Sequence, residues 1–142
     1  MAYMNQERKA KLLPAMKAVC DKYGIKASYA VRNHSTLVIS VKQGKLDFIE
    51  NFIETDQNSH HGRKMEQSRV DYLRSNRSLD VNPYWFQEHF TGRCKDFITE
   101  LFAAAKGTEW YDRSDAMTDY FDTAYYIDVN VGSWKKPYAV VK

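Results

Sequence analysis

The chain has 142 residues, 44% of them hydrophobic and 14% aromatic, with 21 Lys+Arg against 18 Asp+Glu. That length suits one ordinary domain with its own core, and the aromatic share excludes a disordered chain, which lacks such residues. A net charge of +3 is weak for a dedicated nucleic-acid binder, which shows a stronger basic excess or a basic stripe, and it rules out an acidic mimic of DNA.

No run approaches the roughly 18 apolar residues of a membrane span. The segment from Gln6 to Lys11 is charged where a signal peptide needs an apolar core. The two cysteines, Cys20 and Cys94, sit in no CxxC or metal spacing, so they read as buried, reduced thiols in a cytosolic setting.

Residues 5–23 read as a helix. Leu12, Met16, Val19 and Tyr23 form one apolar stripe, with Ala15 and Ala18 alongside. Asn5 is the N-cap, Arg8 three places on precludes a capping box, and Gly24 is placed as the C-terminal cap. Pro14 either kinks this helix or starts its stable part. Residues 26–43 read as a hairpin. Ala27, Tyr29 and Val31 share one face of the first arm, and Leu37, Ile39 and Val41 share one face of the second. Asn33-His34 makes the turn, since Asn tolerates a left-handed backbone.

Leu46 to Glu54 is a short helix with Leu46, Ile49 and Ile53 inward. Residues 55–77 then turn polar and read as a flexible loop within a single domain spanning 1–142. Leu79-Asp80-Val81 is a short strand. Asn82-Pro83 has the form of a helix start, with Asn as N-cap and Pro at the first position. Thr91-Gly92 is a second start, so residues 83–106 are one broken helix or two abutting ones. Trp110 to Asp119 is a loop.

The stretch from Tyr125 to Val131 alternates. Tyr125, Ile127, Val129 and Val131 fall on one face and Tyr126, Asp128 and Asn130 on the other, the mark of a half-buried strand. Tyr138 to Val141 is a short edge partner. The elements together give an α+β fold: an antiparallel sheet of three to four strands covered on one face by helices, because each helix has an apolar stripe that needs a partner.

Little of this carries chemistry. The four histidines, His34, His60, His61 and His89, form no HExxH or Cys/His finger, and Asp112, Asp115 and Asp119 lack an EF-hand pattern. No metal or other cofactor is expected. There is no nucleophile elbow and no phosphate-cradling glycine loop. Cys94 and His89 lie five residues apart, which does not align them on a helix. Asp119 and Asp122 suit acid–base work but suit strand-entry turns better. No catalytic residue is assigned.

Two constellations remain as binding candidates. Arg32, Asn33, His34 and Ser35 are consecutive polar residues at a hairpin tip, able to hold an anion or a partner's backbone. Tyr84, Trp85 and His89 stand beside the outer strand face that begins at Tyr126, and aromatics with a polar handle suit interfaces and base stacking. Each also has a plain reading, a solvated turn and a core-filling aromatic run.

Several phrases resemble a small protein of bacteriophages, prophages and plasmids, of the kind grouped with the large polyvalent protein-associated domains. They are Tyr3 to Ala10, Val31 to Val38, Val81 to Phe86 with His89 to Gly92, and Trp110 to Asp115 leading to Tyr120 to Tyr126. The resemblance runs end to end except for the polar segment 55–77, and it brings no catalytic residue. It implies a setting in the host bacterial cytoplasm, travel with mobile elements and help for incoming DNA. It also implies a non-enzymatic accessory role, such as binding and inhibiting a host defence protein in the manner of an anti-CRISPR. The alternatives are a nucleic-acid-binding module using Arg63, Lys64, Arg69, Arg74, Arg77 and Arg93 with Tyr84 and Trp85 as stacking platforms, and a small nucleotide binder or enzyme using Arg32, His34 and an aspartate. No membrane partner is expected.

Overall fold

In the computed structural model, which describes residues 3–58, 64–83, 85–107, 110, 124–133 and 136–141, the described residues form five helices and five strands. Helix α1 spans Gln6–Tyr23. The Asn5 side chain accepts a hydrogen bond from the Arg8 N–H at 2.8 Å, and Gly24 ends the helix at φ 67°. Strands β1 (Ile25–Arg32) and β2 (Thr36–Gly44) form the expected hairpin. Asn33 and His34 both have positive φ, at 54° and 53°, as a tight primed turn requires.

Helix α2 (Phe48–Gln57) starts on Asp47, whose carboxylate accepts from the Glu50 N–H at 3.1 Å. The polar segment read as a loop over 55–77 contains a helix, α3 (Gln67–Asn76). Only Val70 and Leu73 of α3 are buried, too few apolar positions for its period to show in the sequence. Strand β3 is Leu79–Val81. The 83–106 stretch resolves into two helices, α4 (Phe86–His89) and α5 (Gly92–Lys106), which break at Phe90 and Thr91. Strand β4 is Tyr126–Val131, and β5 is Ala139–Val140.

The α+β class holds, but the sheet is mixed rather than antiparallel. Its order is β1-β2-β4-β3, with β5 also on β2. The hairpin pair and the β3–β4 pair are antiparallel; β4 and β5 each run parallel to β2. Between β2 and β4 the chain passes through α2 to α5, a crossover long enough to return β4 in the same direction. The closing strand therefore lies inside the sheet, between β2 and β3, instead of at its margin.

The register aligns both faces across the strands. Tyr29, Ile39, Val129 and Val81 make one lateral row, and Ala27, Val41, Val131 and Leu79 make another. These apolar rows share one core with Met16 and Cys20 of α1, Phe48 and Ile49 of α2, and Phe97, Ile98 and Leu101 of α5. Tyr23 meets Phe97 edge-on at 5.5 Å, and Phe48 meets Tyr138 in the same way at 5.5 Å. At the free side of β1, the Lys9 ammonium donates to the Tyr29 carbonyl at 3.3 Å.

The end of the sheet is tied by residues whose role the sequence left unstated. Tyr138 is only 2% exposed, and its hydroxyl donates to the Leu46 carbonyl at 2.6 Å. Its N–H donates to the Arg77 carbonyl at 2.8 Å, and the Gly132 N–H donates to the Val41 carbonyl at 2.9 Å. A methyl group on Gly132 would lie 2.4 Å from the Arg77 oxygen and 2.6 Å from the Tyr138 nitrogen, and φ there is +67°. Both the clash and the left-handed backbone oppose any side chain. Gly132→Ala is therefore expected to cost roughly 2–3 kcal/mol. Urea denaturation followed by circular dichroism checks this, and a midpoint equal to that of the parent chain would contradict it.

Candidate functional site

The face of the sheet opposite the core is polar because every second residue of its strands is polar or small. Ser28 of β1, Ser40 of β2, Asn130 of β4 and Asp80 of β3 stand side by side in one row. The next row toward the hairpin turn holds Ala30, Val38 and Asp128. In the other direction Lys42 continues the β2 line. With α3 along one side, the polar residues of these rows and Lys42 line a groove of about 790 Å³. From the row of Asp128 to Lys42 its floor runs about 13 Å, four residues along β2 at about 3.3 Å each.

Charge is distributed unevenly along this floor. Toward the hairpin end, Arg32 and Asp128 neutralise each other across the sheet at 2.9 Å. At the other end Lys42 and Lys136 line the groove and Arg69 lines it from α3, and among the described residues no carboxylate bonds to any of them. Arg69, Tyr72 and Leu73 are one helical turn apart on α3 and all line the groove. Tyr72 is 59% exposed, and its ring meets no other ring or cation among the described residues.

A second cavity, about 330 Å³, lies where β3 stops short of the start of β4. It is lined by Pro83, Phe102, Lys106, Trp110 and the run Tyr125 to Ile127. The Trp110 indole donates to the Tyr125 carbonyl at 2.8 Å, and the Lys106 ammonium stands 4.5 Å from the Trp110 ring centre. The Tyr125 hydroxyl lies 2.5 Å from the Ala105 carbonyl oxygen. These contacts fix the walls, while Tyr126 at the cavity is 48% exposed.

The sequence candidates separate over the surface. Arg32 and Arg69 share the groove. Asn33 and His34 are exposed at the turn. The His34 carbonyl is taken by the Met4 N–H at 2.7 Å, and the neighbouring Ser35 carbonyl by the Tyr126 N–H at 2.9 Å. Those two carbonyls are thus closed to an outside partner. Trp85 is 55% exposed. His89 packs edge-on against Phe52 at 5.6 Å, which is a packing role. Tyr84 and Arg63 lie outside the described residues, as do Asp112, Asp115, Asp119 and Asp122.

The basic set does not form one stripe. Lys64 is exposed, whereas Arg74 is tied to Glu50 by bonds of 2.8 and 3.1 Å, and Arg77 to Asp47 at 3.0 Å. Arg93 lies 5.0 Å from the centre of the Tyr23 ring. Tyr23 donates to Glu100, which also pairs with Lys22 at 2.8 Å. These hydrogen bonds hold the Glu100 carboxyl below its ordinary range and the Tyr23 phenol above its own. Lys42, Lys136 and Tyr72 were missed. The available signal for Lys42 was its place in the off-phase set of β2, Val38, Ser40 and Lys42, once Leu37, Ile39 and Val41 are assigned inward.

Among the described residues no group of three or more His, Cys, Asp or Glu is arranged to hold a metal ion, and no helix is long and apolar enough to cross a membrane. No protein-family model matches the chain, and neither a curated protein nor a solved structure matches it.

Both thiols are free and buried. Burial pushes Cys94 up to about 12 and raises Cys20, which contacts the Tyr29 hydroxyl at 3.2 Å. A thiol with a raised value keeps its proton in the folded state. This contribution to stability is whole below the ordinary value of 9.0 and is lost as pH climbs toward about 12. Near neutral pH neither sulfur is a nucleophile. A chromogenic disulfide reagent should leave both cysteines intact in the folded protein and titrate both after denaturation. A fast-reacting native thiol would be the contrary result.

Proposed function

We propose that the chain is a non-enzymatic accessory protein of a phage, prophage or plasmid that works by binding a host protein, a component of a defence system, in the host cytoplasm. The mobile-element setting follows from the resemblance of the chain's phrases. The binding role has support from the surface. Most aromatic side chains among the described residues fill the core, yet Trp85 and Tyr126 are 55% and 48% exposed. Tyr126 stands with Pro83 at a small, mostly apolar cavity with fixed walls.

The exposure of Tyr126 at that cavity carries the reading. A large, stiff ring with a polar tip loses little entropy when it is covered, which is why Tyr and Trp dominate protein–protein hot spots. Nothing in the reading needs a nucleophile, and neither cysteine is activated to be one.

The test compares the parent chain with the double variant Trp85→Ala/Tyr126→Ala in pull-downs from a bacterial lysate. Both side chains are exposed, so the variant should keep its circular dichroism spectrum and melting temperature. The parent should enrich one host protein, and the variant should retain it about tenfold less or weaker still. Equal capture by both would remove these aromatics from the interface, and a parent profile matching bare resin would sink the reading itself.

A further inference from the structure

The cationic end of the polar groove is separate from the aromatic surface just described. Three basic side chains, Lys42, Arg69 and Lys136, line the groove from a strand, a helix and the segment before β5. Three different elements thus place like charge in one groove with no carboxylate bonded to it among the described residues. By contrast Arg32, Arg74 and Arg77 are paired with Asp128, Glu50 and Asp47, and Arg8 and Arg93 lie against tyrosine rings. Unmatched cations lining one concave groove raise the local potential and favour a multiply charged anion.

We infer that this end of the groove binds a nucleoside phosphate, with the phosphate on Lys42, Arg69 and Lys136 and the base against Tyr72. The unengaged Tyr72 ring lies one helical turn from Arg69 and lines the same groove, so a cation and a stacking surface come from one helix face. The strand floor of the groove carries Ser40, Asn130 and Asp80. Hydroxyl, amide and carboxylate at that place suit sugar hydroxyls, which both donate and accept. An acidic peptide laid along the floor would instead set its carboxylates against Asp80. A volume of about 790 Å³ lies within the range of small-ligand clefts. The inference does not depend on the protein-binding reading, because Trp85 and Tyr126 line no part of this groove.

The ligand's chemistry is the same whether the nucleotide is free or is the end of a strand. The experiment measures binding of inorganic pyrophosphate, ADP, ATP, a 5′-phosphorylated oligothymidylate and oligoglutamate by calorimetry and thermal shift at low salt. The chains compared are the parent, Lys42→Ala/Arg69→Ala/Lys136→Ala and Tyr72→Leu. The parent should bind ADP and ATP, and the triple variant should lose about tenfold or more in affinity, as expected when charge-assisted bonds are removed. Tyr72→Leu should weaken the nucleotides and leave pyrophosphate unchanged, a split that a merely structural role would not produce.

Oligothymidylate binding far more tightly than ADP would assign the nucleotide to a strand end, and equal binding would assign it to a free nucleotide; both support the site. Nucleotide affinity unchanged in the triple variant overturns the inference. So does a parent chain that binds oligoglutamate but no phosphate compound, which would make the groove a contact for an acidic protein segment.

Discussion

Strand β2 is paired on both sides, with β1 on one and with β4 and then β5 on the other, and the structure follows from that pairing. Its even-numbered residues from Thr36 to Ser40 pair with β1. The Ser35 and Val41 carbonyls are taken by the N–H groups of Tyr126 and Gly132, so the odd-numbered set faces β4. Its last two residues also receive β5. One register therefore places Leu37, Ile39 and Val41 in the core and Val38, Ser40 and Lys42 on the other side. A slip of one residue would exchange the two sets and put a lysine into the core. The polar groove is the necessary reverse of the apolar face.

Much of this was readable in the residues. The alternation from Tyr125 to Val131 gave the inner and outer faces of β4, and the hairpin with its Asn33-His34 turn matched the structure closely. Parallel pairing was not readable, because a half-buried strand alternates in the same way whichever direction its neighbour runs. Helix α3 was hidden for a different reason. It presents two buried residues and a polar remainder, so its period is faint and its stability comes from packing on α2 rather than from its own pattern. The tie made by Gly132, Tyr138 and Arg77 joins residues far apart in sequence through main-chain atoms, and no side-chain pattern announces that.

The two candidate surfaces differ in physical kind, and the fold explains why. The groove is polar because it occupies the off-phase side of four aligned strands, with one helix raising a wall beside it. The smaller cavity lies where β3 ends at Val81, leaving the start of β4 unpaired on that side. Tyr125, held at Ala105, and Trp110, held at Tyr125, fill part of that gap. Arg32 and Asn33, adjacent in sequence, were single candidates at the hairpin tip. The structure assigns the first to the groove and leaves the second exposed at a turn whose Arg32, His34 and Ser35 carbonyls are bonded within the chain.

The ammonium of Lys9 resting on the Tyr29 carbonyl has a consequence for how the molecule behaves in a crowd. β1 is a margin of the sheet, eight residues long, and its odd-numbered main-chain groups face away from β2. Such a margin is a template on which an identical chain can lay down its own strand, the first step toward a fibre. A fixed positive charge over the middle of that template repels the lysine of an incoming copy and occupies the acceptor that copy would need. The first helix thus guards the sheet against self-association as well as closing its core.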